Sequence, residues 1–582
     1  MAVDPDIQQK ADDIRMKIYG EQVRESLASG LEAMSEDVVN IENRQDIVES
    51  QFQEVIENTT DKDVVSAPEI IAARNGEANL KARLDKENQE VTAQLAQTDE
   101  KTSDNQTDLL SKSYNVNRTS DLSTLFAQHT NVYFPPGEHS FEKQVIENKN
   151  SLIIDGKKDS IIKLLTKYSG SSSEGSIELT NIDYVHIKNI TLEGLERETG
   201  NTELLIRFID CGKVIIDNIN VISSGGYGFY FKGCQSVTVT NNELGKASLW
   251  LMNNSSTFVD SNTFTNTVYD SIKASGDRIR ITKNNFNGSN SDAIDMYTSG
   301  QYVIVKENVI DGAEENSIQM KTILRDPPYT EGSSDIDGYN RKVIVSENII
   351  KNSPYAIMLK MDDFRATPSF PKESMPKHFK ITHNIIENCD RGIYGRHIQF
   401  VDIQMNSVLN SSDTGIMVSE SYYDIKVIEN TVAQCDRGIM IVPSNSDNGL
   451  DSDFSHNRIT DCANDGLTVR GRYSVVESNL ITTCGKGLEV ILSSAMTVSN
   501  NKIREIRNTN DNANGMYLSA GSECILSGNS VMDSDVGLFI KGGWGGSILV
   551  GNLATLNTLD FKHEITSQTD LKQSANSFTI EP

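Results

Sequence analysis

The chain has 582 residues, of which 54 are basic and 82 are acidic, so its formal net charge is −28. This length exceeds what a single compact core supports, and it predicts several regions or an elongated repeat. A charge this negative, without a dense block of Lys and Arg, argues against binding to nucleic acid and to anionic membrane surfaces.

No run of about 18 apolar residues occurs, and the N-terminal MAVDPDIQQKADDIR has neither a basic start nor an apolar stretch. We therefore expect neither membrane insertion nor secretion by a signal peptide. The cysteines have no paired CxxC and no nearby His at metal spacing, which predicts reduced, structural thiols in a protein assembled in a cytoplasm. We expect no metal and no cofactor. The seven cysteines are Cys211, Cys234, Cys389, Cys435, Cys462, Cys484 and Cys524.

Residues 1–98 are rich in Glu, Gln, Lys and Ala, and their apolar positions follow a heptad pattern. Leu27, Leu31, Met34, Val38 and Ile41 are separated by alternating steps of 4 and 3 residues. This narrow apolar stripe predicts an α-helical coiled coil that joins copies of the chain. The alternative is a single amphipathic helix on a globular domain. The polar segment that follows, residues 99–118, predicts a linker or neck.

From residue 119 to 552 the sequence repeats. The first half of the repeat is an Asn followed within two residues by an aliphatic or Phe side chain, and twelve of the fourteen intervals between these Asn residues are 20 to 29 residues long. A β-propeller would repeat at about 40 to 50 residues, so the interval argues against it. The Asn positions are 189, 218, 242, 262, 285, 308, 348, 384, 406, 430, 457, 479, 501, 529 and 552.

The second half of the repeat is a small residue followed by two apolar residues that flank a variable one, as in Gly438-Ile439-Met440-Ile441. Short alternating strands at this interval predict a parallel β-solenoid, with the apolar residues pointing inward and the variable residue pointing outward. The Asn residues are expected at tight corners because Asn tolerates the left-handed conformation, and stacked coils would align the amides in a ladder. Cys435, Cys462 and Cys484 occupy successive coils and predict a buried stack.

The segment VYFPPGEHSF (132–141) and the coil repeat resemble the pectate-lyase-like right-handed parallel β-helices of bacteriophage tailspikes and tail appendages. Residues 18–27 and 68–76, with 80–85 following, resemble the attachment regions of tail and baseplate proteins of phages that infect Gram-positive bacteria. The resemblance implies an all-β right-handed β-helix with an N-terminal coiled coil, assembled as a homotrimer. It also implies that residues 1–98 attach to tail, baseplate or collar proteins of the virion, after assembly in the host cytoplasm. Residues 553–582 are expected to form a C-terminal cap or tail.

Two intervals break the regularity, and each contains a polar, Pro-rich excursion, at 325–342 and at 362–379. Both excursions follow the same strand of their coils, so we expect them to leave from one edge and to wall a groove. Neutral surface insertions are the alternative.

Aligning the strands of successive coils predicts which residues face this groove. Stacked strands lie about 4.8 Å apart, so Lys273, Asp295 and Lys321 are expected within contact range. Asp270 and Asp292 begin their strands at equivalent positions and should also stack. The first outward column is predicted to be Trp250, Lys273, Asp295, Gln319, Met358 and Tyr394, and the second to be Met252, Ser275, Tyr297, Lys321 and Lys360.

These columns contain the residue types that glycan cleavage requires. A glycoside hydrolase needs an acid and a carboxylate, for which Asp270, Asp292, Asp295, Asp362 and Asp363 are the candidates. A lyase needs a base such as Lys273, Lys321 or Lys360, and these lysines would also form a basic strip for an anionic polymer such as teichoic acid. The alternative for Lys273 and Asp295 is a surface ion pair of little energetic value. The candidate substrate-binding residues are Trp250, Tyr297, Gln319, Lys321, Lys360 and Tyr394, the aromatic ones as platforms for sugar stacking.

The sequence contains neither the Asp-Asp, GHG and RIK set of polygalacturonases nor the calcium cluster and Arg of pectate lyases. This departure argues against pectin cleavage. Together with the predicted acidic and aromatic groove, the resemblance implies a phage tail appendage that binds and depolymerises a host cell-surface glycopolymer, either teichoic acid or capsular polysaccharide, during adsorption. The alternative is a receptor-binding adhesin of the same fold without catalysis. The two insertions argue against a purely structural fibre. The missing signal peptide and the predicted N-terminal coiled coil argue against a secreted bacterial enzyme.

Overall fold

The computed structural model describes residues 113–115, 126 and 129–577, apart from gaps at 142, 158, 165–174, 195–203, 225–226, 301, 324–340, 363–376, 444–448, 492–493, 508–512, 520, 544 and 568–571. The predicted coiled coil, residues 1–98, lies outside the described residues, as does most of the predicted neck, 99–118. Within the described part of the chain, no helix has the length and apolar character that crossing a membrane requires.

The described residues form β-strands along their whole length. In the first half these are β1 (Ser113–Asn115), β2 (Asn131–Phe134), β3 (Gly137–Phe141), β4 (Gln144–Gly156), β5 (Ser160–Leu164), β6 (Gly175–Lys188), β7 (Thr191–Glu193), β8 (Leu204–Ile209), β9 (Lys213–Asp217), β10 (Asn220–Ser223), β11 (Tyr227–Lys232), β12 (Ser236–Thr240), β13 (Glu243–Gly245), β14 (Ser248–Asn254), β15 (Thr257–Asp260), β16 (Thr263–Thr267), β17 (Ile272–Gly276), β18 (Ile279–Thr282), β19 (Asn285–Ser289), β20 (Ile294–Gly300), β21 (Val303–Lys306), β22 (Val309–Ala313), β23 (Asn316–Ile323), β24 (Arg341–Ser346) and β25 (Ile349–Lys351).

In the second half they are β26 (Tyr355–Asp362), β27 (Lys377–Thr382), β28 (Ile385–Glu387), β29 (Arg391–Gln404), β30 (Ser407–Leu409), β31 (Thr414–Ile428), β32 (Thr431–Ala433), β33 (Arg437–Pro443), β34 (Gly449–Leu450), β35 (Asp453–Ser455), β36 (Arg458–Thr460), β37 (Asp465–Val469), β38 (Val475–Glu477), β39 (Leu480–Thr482), β40 (Lys486–Ile491), β41 (Thr497–Ser499), β42 (Lys502–Ile506), β43 (Asn514–Ser519), β44 (Ile525–Ser527), β45 (Ser530–Ser534), β46 (Val536–Gly543), β47 (Ile548–Val550), β48 (Leu553–Thr555), β49 (Leu559–Ser567) and β50 (Lys572–Ser574).

Most described coils consist of three strands, and each strand pairs in parallel with its equivalents in neighbouring coils; β4, β6, β29 and β31 each continue through two of the three positions. Strand β17 pairs with β14 and β20, β18 pairs with β15 and β21, and β19 pairs with β16 and β22. The all-β parallel solenoid predicted from the sequence is therefore confirmed. The parallel pairing continues past residue 552, because β48, β49 and β50 pair with β45, β46 and β47.

The core follows from the alternation of side chains along each strand. In β12 (SVTVT) the two valines are buried and the three polar residues between them are half-buried. Because equivalent strands stack, identical side chains meet between coils: Phe208 stacks on Phe231 and Phe264 on Phe286, with ring centroids 4.7 and 4.8 Å apart. The buried apolar residues form one continuous cluster along the solenoid, which a single coil could not provide alone.

A ladder of buried Asn side chains occupies one corner of the solenoid. Each Asn Nδ2 donates to the Oδ1 of the Asn in the next coil, as from Asn348 to Asn384 at 2.9 Å. The predicted ladder is thus present, with two corrections. Its member between residues 262 and 308 is Asn284 rather than Asn285. Asn189 and Asn218 lie outside the buried ladder in an exposed pair. The ladder contains Asn242, Asn262, Asn284, Asn308, Asn348, Asn384, Asn406, Asn430, Asn457, Asn479, Asn501, Asn529, Asn552 and Asn576.

The ladder Asn residues do not themselves adopt the left-handed conformation, so this part of the prediction was wrong. The left-handed residue is the one before each ladder Asn, for example Glu307 (φ 58°), Glu347 (φ 57°) and His383 (φ 58°). Asn is needed one position later, where its amide donates to backbone carbonyl groups of its own and the preceding coil as well as to the next amide. The corner therefore tolerates varied residues at the strained position, whereas the amide position requires Asn.

All seven cysteines are buried free thiols, with at most 3% of each residue exposed. Cys435, Cys462 and Cys484 form the buried stack expected for successive coils, and the Sγ of each donates to the carbonyl group two residues earlier, at 3.3, 3.7 and 3.3 Å. The neighbouring Cys462 thiol lowers the pKa of Cys435 to about 7, although burial opposes the thiolate.

Candidate functional site

The first predicted outward column is continuous in the structure. Trp250, Lys273, Asp295, Gln319, Met358 and Tyr394 are in register on six successive coils. The column also extends in the N-terminal direction, where Trp250 is in register with Tyr230. It brings Lys273, Asp295 and Gln319 onto adjacent strands.

The second predicted column is not continuous, and this part of the prediction was wrong. The register shifts between Leu251 and Asn254, and again between Ala274 and Gly276. These irregularities separate Met252, Ser275 and Tyr297 from a straight ladder, and Ser275 is fully buried. Lys321 and Lys360 do pair in register, on β23 and β26.

Three carboxylates converge where the first column passes β17 and β20. One oxygen of Asp270, of Asp292 and of Asp295 lie within 4.8 Å of one another, and all three residues are buried. Asp270 and Asp292 occupy equivalent positions two residues before their strands, and the Asp292 N–H donates to Asp270 Oδ1 at 3.3 Å. Asn316 takes the same position one coil further on, where its N–H and Nδ2 donate to Asp292 Oδ1 at 3.0 and 2.6 Å. The predicted stacking of Asp270 on Asp292 is therefore observed.

Lys273 lies between two of these carboxylates. Its Nζ is 3.1 Å from Asp270 Oδ2 and 3.3 Å from Asp295 Oδ2. The pair with Asp295 is not the surface ion pair of the alternative interpretation, because 18% of the Lys273 side chain and 1% of the Asp295 side chain are exposed. Burial disfavours the ammonium form, but the charges of Asp270 and Asp295 outweigh burial and raise the pKa of Lys273. Lys273 is therefore a protonated counter-ion at neutral pH.

An aromatic group borders the cluster, and part of it was missed from the sequence. Tyr227 stacks on Tyr269, with ring centroids 4.9 Å apart, and packs against Trp250 at the same distance. Burial raises the pKa of Tyr227 to about 12, against the effect of nearby Lys273. Tyr269 immediately precedes Asp270 in the sequence, so aligning the corners as well as the strands would have identified it.

Tyr394 belongs to a different cluster, three coils beyond Asp295. The Arg391 guanidinium lies over the rings of Tyr355 and Tyr394, 5.3 and 5.1 Å from their centroids, and it bonds Asp413 at 2.6 Å. The structure therefore does not bring Tyr394 together with the three carboxylates. Its ring is fixed by Arg391 within the same outward column.

The remaining predicted site residues lie on or directly after β20, β23 and β26. Gln319 is next to Asp295 and is buried, with its Nε2 3.6 Å from the sulfur of Met358. Tyr297, Lys321 and Asp362 lie on β20, β23 and β26, but their side chains are outside the described residues, as is the whole of Asp363. Lys360 is half-buried on β26. The insertions 325–342 and 362–379 begin at the ends of β23 and β26, which are paired in register, and their central parts are not described.

The three aspartates are also the one group of acidic, His or Cys side chains, among those the structure describes, with the spacing to hold a metal ion. Carboxylate oxygens suit hard cations such as Ca²⁺. The ammonium group of Lys273 already pairs with two of the three carboxylates, however, and it would repel a divalent cation. The donor set therefore fits a lysine counter-ion better than a metal.

Two family models match parts of the chain. A model described as right handed beta helix region matches residues 175–322 and 445–554. A model described as periplasmic copper-binding protein (NosD) matches residues 315–450. The matched residues carry the parallel three-strand coils, in agreement with a right-handed parallel β-helix. No curated protein matches the chain.

Several solved structures are similar to this chain at low sequence identity. Tailspike protein 3 of bacteriophage CBA120 is 12% identical, with a TM-score of 0.26, over 80% of this chain and 60% of the tailspike. PfbA, a surface adhesin of Streptococcus pneumoniae, is 13% identical, with a TM-score of 0.28, over 70% of this chain and 87% of the adhesin. The catalytic domain of a GH87 alpha-1,3-glucanase is 11% identical, with a TM-score of 0.31, over 80% of this chain and 68% of that domain. At these TM-scores the likenesses carry no argument about function.

Proposed function

We propose that the protein binds a host cell-surface glycopolymer along the outward column of its β-helix and hydrolyses it at the Asp270, Asp292 and Asp295 cluster. The observation that carries the proposal is the convergence of three buried carboxylates and one lysine on adjacent coils, with carboxylate oxygens within 4.8 Å of one another.

The cluster offers carboxyl groups for both roles in glycoside hydrolysis, which needs a carboxylic acid and a carboxylate on either side of the scissile bond. Lys273 pairs with Asp270 and Asp295. Asp292 accepts two hydrogen bonds from Asn316, at 3.0 and 2.6 Å, and these hold its carboxyl group in place. Asp270, Asp292 and Asp295 are the candidates for that pair of acid and carboxylate.

Hydrolysis is favoured over lyase chemistry by the state of Lys273. A lyase base must be unprotonated before it removes a proton from the sugar. The carboxylates of Asp270 and Asp295 raise the pKa of Lys273 and so oppose that state. Lys273 instead holds Asp270 and Asp295 in place and keeps part of their charge neutralised. We assign it as a positioning residue.

The substrate would reach the cluster from the side of Asp270 and Lys273. Their side chains are 9% and 18% exposed, whereas that of Asp295 is 1% exposed. The rings of Tyr227, Trp250 and Tyr269 form a half-buried surface beside them. Such surfaces bind the apolar faces of sugar rings, so we place one sugar of the polymer on this surface and the bond to be cleaved next to Asp270.

We further propose that the chain is a homotrimeric phage tail appendage, held in the virion by residues 1–98 through tail, baseplate or collar proteins. The support is the sequence resemblance of residues 18–27 and 68–76 to such attachment regions, together with the β-helix that follows. The polymer would then be the teichoic acid or capsular polysaccharide of a Gram-positive host.

One observation favours the adhesin alternative. The carboxylates are nearly closed off from solvent, as expected for a buried structural cluster. An adhesin would use the aromatic surface around Trp250 for binding and would leave the polymer intact.

The test is to incubate the protein with wall glycopolymers and capsule from a susceptible host and to follow polymer length by size-exclusion chromatography. Wild type and Asp295→Asn are compared, with Asp260→Asn as a control on β15, a different strand of the coil. The proposal expects shortening by wild type and by the control, with a loss of at least about a hundredfold in Asp295→Asn. Binding without shortening by wild type would make the protein an adhesin.

A further inference from the structure

A second group of aromatic and charged side chains lies on the outward face that carries the acidic cluster. Four strand starts are in register there, at Tyr355, Arg391, Thr414 and Arg437. The outward column continues beside them through Tyr394 on β29, and Asp413 lies directly before β31. We call Tyr355, Arg391, Tyr394, Asp413 and Arg437 the arginine-tyrosine group.

Arg391 is the centre of the group. Its guanidinium lies over the rings of Tyr355 and Tyr394, 5.3 and 5.1 Å from their centroids, and its Nη1 donates to the Tyr355 hydroxyl at 3.4 Å. Its Nε donates to Asp413 Oδ2 at 2.6 Å, and Arg437 Nη1 is 3.4 Å from the other oxygen of Asp413. These contacts fix the side chains in one arrangement before a ligand binds, which lowers the entropy lost on binding.

The group is open to solvent, unlike the acidic cluster. The exposed fractions of the Arg391, Asp413 and Arg437 side chains are 27%, 29% and 41%, against 1% for Asp295. Both tyrosines are half-buried. Ion pairs with this exposure contribute little to stability. A ligand can therefore reach rings and polar atoms here, whereas the carboxylates of the acidic cluster are nearly closed off.

Positive and negative charges are matched in the group. Arg391 and Arg437 share Asp413, and Arg437 Nε is 3.8 Å from Asp436. Burial opposes the carboxylate of Asp413, but hydrogen bonding and the charges of both arginines outweigh burial and lower its pKa. Asp390, directly before Arg391, adds a further exposed carboxylate. The group therefore has no excess of positive charge that would select an anionic ligand.

An uncharged sugar matches this chemistry. The C–H face of a sugar ring packs on aromatic rings, which Tyr355 and Tyr394 supply. The hydroxyl groups around a sugar ring both donate and accept hydrogen bonds. Arg391 and Arg437 supply N–H donors in a fixed plane, and the carboxylate of Asp413 supplies an acceptor. An anionic substituent would instead be repelled by the carboxylates.

The group is aligned with the acidic cluster along the solenoid. Tyr394 and Asp295 belong to one outward column, and the strands that carry it, β20, β23, β26 and β29, pair in register. Three strand spacings of about 4.8 Å separate the two residues by about 14 Å. A polymer extended along the column therefore reaches both.

We propose that the arginine-tyrosine group is a non-catalytic subsite that binds an uncharged sugar unit of the glycopolymer. The inference rests on the proposed function for the identity of the polymer and deepens it, because a unit held here keeps the chain aligned over the acidic cluster. No group of the subsite touches the bond that is cleaved. Its loss should therefore raise the KM for polymer shortening and leave kcat unchanged.

The experiment measures binding to the full chain carrying Asp295→Asn, by calorimetry at a low and a high salt concentration. One probe is a neutral oligosaccharide fraction, prepared from the dephosphorylated wall polymer or capsule of a susceptible host. The other probe is poly(glycerol phosphate) without sugar substituents. The test variants are Tyr394→Ala, which removes a ring, and Arg391→Lys, which keeps the charge and removes the planar donors.

Three control variants match these changes. Tyr394→Phe keeps the ring and removes only a hydroxyl that is 3.4 Å from Ser419 Oγ. Tyr473→Ala removes an exposed tyrosine between β37 and β38, and Arg507→Lys alters an exposed ion pair with Asp533. We expect the oligosaccharides to bind with an affinity that salt does not change, the two test variants to bind them about tenfold more weakly, and the controls to keep the affinity.

Unchanged affinity in both test variants, equal losses in Tyr473→Ala or Arg507→Lys, binding of poly(glycerol phosphate) alone, or no binding of the oligosaccharides would each overturn the inference. If Tyr394→Ala does not fold, Arg391→Lys decides, because it keeps the ion pair with Asp413. Polymer length is followed in parallel with chains that keep Asp295. Binding that depends on Tyr394 and Arg391, without shortening, would leave the subsite standing and remove the proposed hydrolysis. Shortening with unchanged binding in both test variants would remove the subsite alone.

Discussion

The Asn ladder should be the most sensitive structural element of the solenoid, and Asn348→Ala tests it. The Asn348 side chain is fully buried and makes five hydrogen bonds. It accepts from the N–H and the Nδ2 of Asn308, and it donates to Val305 O, Ser346 O and Asn384 Oδ1, all at 2.9 to 3.1 Å. Alanine removes all five and leaves the buried Asn308 N–H without its acceptor.

The size of the effect follows from these contacts. A buried donor left unsatisfied costs about 1–3 kcal/mol, and the other lost bonds contribute about 1 kcal/mol each before relaxation. Since the carbonyl groups and Asn308 Nδ2 partly recover other partners, we expect a total of about 3–5 kcal/mol. The matched control is Asn352→Gly in the same coil, an exposed Asn at φ 55° with one side-chain bond to Asp311. Glycine keeps that backbone conformation, and the control should cost less than about 1 kcal/mol.

The assay is native-state hydrogen exchange, because each coil contacts only its neighbours and the loss should be local. Amides of β21, β24 and β27 should lose protection in Asn348→Ala, whereas those of β41 and β44 should keep it. Equal loss of protection in the Asn348 and Asn352 variants would refute the reasoning, since the ladder would then add nothing beyond an exposed amide.

Three further predictions concern the site and the thiols. Lys273→Met should lower the free energy of unfolding by about 3 kcal/mol at pH 7, because it leaves Asp270 and Asp295 without their counter-ion. The pKa of Lys273 is raised on folding. In urea titrations the difference in unfolding free energy between wild type and Lys273→Met should therefore be complete below the unfolded pKa of about 10.5 and should shrink above it. A difference that persists unchanged at higher pH would contradict the ion-pair account. Chelation of divalent cations should leave polymer shortening unchanged, because Lys273 serves as the counter-ion, and a loss restored by added Ca²⁺ would show that the cluster holds a metal. Cys435, Cys462 and Cys484 should not react with a thiol reagent in the folded protein despite the lowered pKa of Cys435, because the stack is buried; rapid labelling counted by mass spectrometry would mean that this corner opens.

Much of the fold could be predicted because each coil of a solenoid repeats the same local sequence pattern. The Gly-Ile-Met-Ile type of strand and the interval between Asn residues recur in successive coils. A wrong assignment of strand positions in one coil is therefore detected by comparison with the other coils. The register of Trp250, Lys273, Asp295 and Gln319 followed from this averaging. The position of the left-handed residue did not, because the pattern shows only that Asn recurs and not which of two neighbouring residues carries the backbone strain.

The site was harder to predict, since it depends on departures from the repeat. The shifts of register after Leu251 and after Ala274 moved Ser275 and Tyr297 out of a straight column. The sequences of those strands contain no signal that predicts a β-bulge. Tyr227 was missed because it lies on a different coil from Tyr269, on which its ring stacks. The charge state of Lys273 also required geometry, because two carboxylates at 3.1 and 3.3 Å decide it.

The measurement that tests the central claim most directly is a structure of the Asp295→Asn protein with an oligosaccharide of the host polymer bound. The account predicts one sugar ring on the surface of Tyr227, Trp250 and Tyr269, and a glycosidic oxygen within about 3.2 Å of the Asp270 carboxyl group. An oligosaccharide bound on another face of the solenoid, or on this face with every glycosidic oxygen far from Asp270 and Asp292, would contradict it.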